Sequence, residues 1–281
     1  MIWVSNMSGN SIRGCLSKED TISEIILSLG HNPNATCVVV EGESDIRLFK
    51  SILSDSVELF QSYSGKHGIE DIVVRQFQNN KRVIGIRDRD YERIKKQKKR
   101  MFFCDYCCAE MMIISDDYCY NRIYNNVFND PCETSLDNRI HILKTLLFMS
   151  LLRKNNEEKK WGICIKDIKA GEYYDSSTDD INQDELIKNI NYRSDIKLSG
   201  EMTRIVQREF NKDYNLADYL NMTNGHDFIS MFGKFCGPKK TMSNGTLETT
   251  LRVAFGEDNF QKTQLYIRLK EYQENKSVKI V

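Results

Sequence analysis

Val38-Val39-Val40-Glu41-Gly42-Glu43-Ser44-Asp45 and, some forty residues on, Arg82-Val83-Ile84-Gly85-Ile86-Arg87-Asp88-Arg89-Asp90 decide how this chain reads. Each is an apolar, β-branched run that ends abruptly in carboxylates. The runs predict buried strands, and a buried strand has no structural reason to finish in clustered negative charge, since like charges repel and raise one another's pKa. A divalent cation resolves that repulsion. Hard cations such as Mg²⁺ take carboxylate oxygens and keep waters for substrate phosphates. Strand alternation would put Asp88 and Asp90 on one side of the chain, where they can share an ion. The pair of stretches therefore predicts a phosphodiester-cutting metal site at the carboxyl edge of a small parallel sheet.

The intervening chain supports the sheet. Ser44 is a good N-cap for a helix whose apolar side is Ile46, Leu48, Phe49, Ile52 and Leu53. Val57–Phe60 reads as a second strand, Ser62–Gly68 as a loop and Ile69–Gln78 as a helix before the third strand. Met101-Phe102-Phe103 reads as a short fourth strand, with a helix starting at Cys108. Alternating strands and helices predict parallel pairing with right-handed crossovers. Ligands in such sheets bind beyond the carboxyl ends of the strands, where both acidic motifs lie.

Composition narrows the function classes. Lys+Arg and Asp+Glu are both 40, for a net charge of zero, so any grip on a polyanion must come from a local patch. Tyr91–Arg100 supplies one, six of its ten residues being Lys or Arg, with Lys95, Lys96, Lys98, Lys99 and Arg100 at its end. It reads equally as a solvated loop or as a basic flap that holds phosphates. No run reaches the ~18 apolar residues that span a bilayer; Ile142–Leu152 is broken by Lys144. Met1-Ile2-Trp3-Val4-Ser5 lacks the basic-then-apolar pattern of a secretory signal. The expectation is a soluble cytoplasmic protein. Cys104-x-x-Cys107 has no second well-spaced pair, so Cys104, Cys107, Cys108, Cys119 and Cys132 read as reduced core thiols rather than a zinc site.

Further along, the pattern turns helical. Asn138–Leu152 predicts one strongly apolar helix, Trp161–Ile165 a strand and Gly171–Asp184 an irregular loop. Helices follow at about 184–191, 199–210, 215–222, 225–235, 246–254 and 258–273. The expected organisation is an arm and helix over 1–35, an α/β sheet domain over 36–130, and a helix-rich module over 131–281.

With Glu41 after one strand, Asp88-Arg89-Asp90 after another and Gly65 between them, the sequence resembles the Toprim domain of topoisomerases, primases and OLD-type nucleases. The spacing Glu41-x-x-x-Asp45, the later acid Glu110 and the run Asn224-Gly225-His226-Asp227 resemble stand-alone OLD-like Toprim proteins, the effectors of PARIS-type anti-phage systems. The resemblance covers about residues 36–114. It implies a Toprim (Rossmann-like) parallel sheet flanked by helices and a Mg²⁺- or Mn²⁺-dependent endonuclease holding one or two ions. Glu41, Asp88 and Asp90 would be catalytic, and Glu41, Asp45, Asp88, Asp90 and Glu110 would hold metal. It also implies abortive-infection toxicity, an RNA substrate such as tRNA in preference to DNA, an ABC-type ATPase partner, and a homodimer when active.

Each residue has a plainer reading beside this one. Asp45 lies in the first turn of its helix, where the dipole favours a carboxylate in any case. Glu43 reads as solvent-facing, and His226 as structural. Lys66, Lys239 and Lys240 are equal candidates for the basic residue near the scissile phosphate. A non-catalytic binding subunit that docks on an ATPase through the same acids is the competing function.

Overall fold

The computed structural model describes residues 17–92, 99–128, 133–235 and 242–281. Helix α1 (Lys18–His31) opens on a reciprocal cap: the Ser17 hydroxyl accepts from the Asp20 N–H, and the Asp20 carboxylate accepts from the Ser17 N–H. Arg82 closes the other end, its guanidinium donating to the carbonyls of Leu29, Asn32, Pro33 and Ala35. Strand β1 (Thr36–Val40) follows, buried along its whole length. An unbroken β-branched run is what a central strand covered on both faces requires. Helix α2 (Glu43–Phe49), strand β2 (Val57–Gln61), helix α3 (Gly65–Glu70), strand β3 (Val83–Arg87) and strand β4 (Met101–Phe103) come next.

These strands form a four-stranded parallel sheet in the order β2-β1-β3-β4, flanked by helices. Strand β1 pairs with both neighbours, Thr36 opposite Val57 and Val39 opposite Gly85. The expected α/β parallel architecture is therefore present. The helix expected over Ile69–Gln78 is different: α3 gives way to a π-helical turn, Asp71–Gln76. The Arg100 guanidinium explains what satisfies the end of that turn, since it collects the carbonyls of Val73, Phe77, Gln78, Asn80 and Val83 at 2.5–3.2 Å.

The chain divides into two compact units. The first takes in the described residues of Met1–Arg87, Gln97–Phe102 and Arg268–Val281; the second takes in those of Asp88–Lys96 and Phe103–Ile267. This runs across the linear partition expected from sequence, because the C-terminal tail belongs with the sheet. Tyr272 packs edge-on against Phe102 with ring centroids 5.5 Å apart, and its hydroxyl donates to the Lys81 carbonyl at 2.9 Å. The Ile280 carbonyl accepts from the Ser54 N–H at 2.9 Å.

The second unit is helical. Its elements are α4 (Ala109–Ser115), α5 (Asp117–Val127), α6 (Ser135–Thr145), α7 (Leu147–Lys159), a small hairpin of β5 (Tyr174–Asp175) and β6 (Asp180–Ile181), α8 (Gln183–Arg193), α9 (Gly200–Phe210), α10 (Leu216–Met222), α11 (Gly225–Phe235), α12 (Asn244–Ala254) and α13 (Glu257–Phe260). Helix α14 (Gln264–Lys276) begins here, its first N–H groups on Gln264 and Leu265 donating to the Asp105 carboxylate.

Three expectations are corrected here. The single helix over 138–152 is two, α6 and α7, and the one over 258–273 is split between α13 and α14. Trp161–Ile165 is not a strand, because side chains serve its backbone instead of a ladder: Asn156 both accepts from the Ile163 N–H and donates to the Ile163 carbonyl, each at 2.9 Å. The Cys164 N–H donates to the Ser194 hydroxyl. No described helix is long and apolar enough to cross a membrane.

Candidate metal-binding site

In the second unit, Asp88 is the residue that follows the end of β3. Its Oδ1 accepts from the Ala109 N–H at 2.9 Å, which fixes the carboxylate over the start of α4. Cys108 caps that helix from an extended backbone, and Glu110 lies in its first turn. These placements bring one oxygen of Asp88, the sulfur of Cys108 and one oxygen of Glu110 within 4.8 Å of one another. No other group of three or more potential ligands is this close among the described residues. Asp90 is not in the group. Strand β3 ends at Arg87, Asp90 takes a left-handed conformation at φ 51°, and its N–H donates to the Cys107 carbonyl at 2.8 Å. The period-two alternation that would have paired Asp88 with Asp90 has stopped before it reaches them.

Gly225 gives Glu110 its room. A Cβ on this first residue of α11 would fall 2.5 Å from Cδ of Glu110 and 2.9 Å from its Cβ. No side chain fits there. Helix α11 also delivers Asp227, which is buried and takes two hydrogen bonds from Arg153, at 2.6 and 3.0 Å. The same guanidinium donates to the carbonyls of Ile165 and Ile168. Burial opposes charge on Arg153, yet Asp227 holds the guanidinium above its ordinary range.

The hydroxyl of Tyr91, which feels the charges of Cys107, Arg153, Asp227 and Cys108, is buried and without a hydrogen-bond partner among the described residues. Burial first, and Cys107 second, push its pKa well above the usual phenol range. A hydrogen bond with Cys107, burial, and the charges of Glu110 and Asp88 push the Cys108 thiol well up too. Arg89 donates to the Asn221 side-chain oxygen.

The remaining expected site residues are in the first unit or outside the described chain. Glu41 follows β1, and its Oε2 faces Gly65, where a Cβ would lie 3.8 Å away. Gly65 itself has φ 47°, which favours glycine over any side chain. Asp45 Oδ2 accepts from the Gly42 N–H at 2.9 Å, so this carboxylate serves the start of α2. Glu43 is exposed and pairs with Arg47 one turn on. Lys66 is half-buried in the first turn of α3. Lys95, Lys96 and Lys98 of the basic run lie outside the described residues, as do Lys239, Lys240 and Cys132. Lys99 is exposed. Arg100 is a correction: it was expected to grip phosphate, but its donors go to five backbone carbonyls of its own unit.

Cys104, Cys107, Cys108 and Cys119 are buried, as core thiols would be. Cys108 is nonetheless a potential ligand that sequence reasoning passed over, as was Gly225 as the residue that seats Glu110. A signal was present in Cys108-Ala109-Glu110, two ligand types straddling a helix start. The two carboxylates fit the expected Mg²⁺ or Mn²⁺, both oxygen-seeking ions. The thiol beside them does not. No family model matches the chain, and comparisons with curated proteins and with solved structures found no match either.

Proposed function

We propose that this chain is a divalent-cation-dependent phosphodiesterase of the Toprim type, cutting RNA such as tRNA as the toxic effector of an anti-phage system. One observation carries the reading. In the second unit, ligand atoms of Asp88, Cys108 and Glu110 lie within 4.8 Å of one another at the start of α4. Converging carboxylates are what a phosphate-handling cation site needs.

Each residue has a task in this reading. Asp88 and Glu110 are each placed locally, one by the Ala109 N–H and the other against Gly225, so their oxygens come near one another. Glu41, in the first unit with its Oε2 facing Gly65, is the catalytic carboxylate that the resemblance implies. A bound cation would polarise the phosphoryl oxygen and stabilise the charge that develops on it. Lys99 and the basic residues before it would hold the polyanion backbone. Asp90 belongs to the turn that presents Asp88. An ABC-type ATPase as partner, a homodimer as the active form and a cytoplasmic location belong to the same proposal.

The test is cellular. Controlled expression of the chain, alone and with an ABC-type ATPase encoded beside it, should arrest growth and leave discrete new RNA ends. Glu41→Ala and Asp88→Ala should abolish both effects at equal protein level. Arrest that survives both substitutions would overturn the reading.

A further inference from the structure

We propose that Cys108 is itself a ligand, so that the cation this site selects is a thiophilic ion of the zinc class rather than Mg²⁺. The inference builds on the reading of Asp88 and Glu110 as cation ligands and adds the identity of the ion.

The donor set is the first ground. The Cys108 sulfur and one oxygen each from Asp88 and Glu110 lie within 4.8 Å of one another. One Zn²⁺ reaches donors at about 2.3 Å for sulfur and 2.0–2.2 Å for oxygen, so small side-chain adjustments would let a single ion touch all three. Thiolate selects for zinc-like ions, whereas carboxylate and water alone suit Mg²⁺ and Mn²⁺. The second ground is rigidity. Cys108 is only 5% exposed and is the N-cap residue of the helix that carries Glu110, so its backbone is held beside the first turn of α4.

The third ground is independent of these ligands. The Tyr91 hydroxyl is buried with no hydrogen-bond partner among the described residues, and Cys107 and Cys108 are among the groups next to it. Orphaned buried hydroxyls are rare, and a bound ion or water is one of the groups that satisfy them. A three-donor ion leaves a fourth, open position of the sort catalytic zinc sites keep for water or substrate. Ligation converts the thiol to a thiolate and releases its proton to solvent, with no change of oxidation state.

The experiment is a Co²⁺ titration of the reduced, full-length chain, followed by absorption, with Zn²⁺ competition. A thiolate ligand gives a sulfur-to-cobalt charge-transfer band in the near ultraviolet. The expected result is that band, saturating at one equivalent and displaced by Zn²⁺ but not by excess Mg²⁺. The band should be lost in Cys108→Ser, with affinity lowered by at least about tenfold, the low end of what even outer groups of metal sites cost. It should persist in Cys164→Ser, which alters an exposed cysteine. Circular dichroism on Cys108→Ser separates loss of a ligand from loss of fold; if that variant is unfolded, the wild-type band under Mg²⁺ and Zn²⁺ challenge decides. Co²⁺ binding without the band, or no binding, would overturn the inference. The band in a chain that cleaves no nucleic acid would uphold the ligand set and sink the nuclease reading, so the two failures are distinguishable.

Discussion

Gly225 and Glu110 share one space: a Cβ on the glycine would stand 2.5 Å from the carboxyl carbon of the glutamate. The first residue of α11 therefore determines where the Glu110 oxygens can be. Gly225→Ala should displace Glu110 and weaken divalent-cation binding by about 10–100-fold, as for other groups that orient a metal ligand. Overpacking should also cost about 1–3 kcal/mol in stability. Gly245→Ala is the control, since a Cβ there meets nothing within 4 Å; it should stabilise by about 0.5–1 kcal/mol. Calorimetric titration and urea melts on both variants check this, and unaltered cation affinity in Gly225→Ala would contradict it.

Arg100 and Lys99 are neighbours with opposite duties. Arg100 has φ 64° and holds five backbone carbonyls, so Arg100→Met should cost roughly 2–4 kcal/mol through groups left without a charged donor. Arg100→Gly should recover part of this by easing the left-handed backbone. Lys99→Ala should leave the urea midpoint within about 0.5 kcal/mol while weakening RNA binding and flattening its salt dependence. A stable Arg100→Met variant that merely loses RNA affinity would reverse these roles.

Tyr91→Phe removes a buried hydroxyl that has no partner among the described residues. Without bound cation it should be neutral or stabilising by about 1 kcal/mol, because an unmet polar group is no longer desolvated. Asp227→Ala, a short distance away, should instead cost about 3–5 kcal/mol by leaving Arg153 buried and unpaired. Thermal melts of the metal-free proteins distinguish the two.

Asp71 carries a pH dependence. The Lys18 ammonium, at 2.7 Å, and then the Tyr63 hydroxyl hold its carboxyl below the ordinary value of 3.8. A folded-state pKa below the unfolded one adds stability that is complete above the unfolded value and lost as pH falls through the folded one. The first unit should therefore weaken on acidification below about pH 4, and Asp71→Asn should flatten that part of the curve. Urea midpoints measured from neutral to acid pH for both proteins test it; identical slopes would contradict it.

The strands were legible in the sequence and the site only in part, for physical reasons. A strand covered on both faces is apolar almost throughout, so Cys37–Val40 and Val83–Ile86 announce themselves. Glu41 and Asp88 stand out because charge interrupts such a run. Trp161–Ile165 looks similar, but Asn156 satisfies its backbone locally, which no periodicity reveals. Alternation pairs Asp90 with Asp88 only where the extended backbone continues, and β3 ends at Arg87 before the left-handed turn at Asp90. Cys108 was read as packing because burial and ligation call for the same residue type. Gly225 was invisible because its reason lies in Glu110, far away in the chain.

The central claim is that these carboxylates serve phosphodiester cleavage, and end-labelled substrate tests it most directly. Purified chain would be incubated with labelled tRNA, single-stranded RNA and duplex DNA, with Zn²⁺, Mn²⁺ or Mg²⁺ added in turn or with chelator. The account predicts cation-dependent cuts in RNA that vanish with chelator and in folded Glu41→Ala and Asp88→Ala variants. Intact substrate under every cation, with the partner ATPase present and absent, or cutting that survives both substitutions, would contradict it.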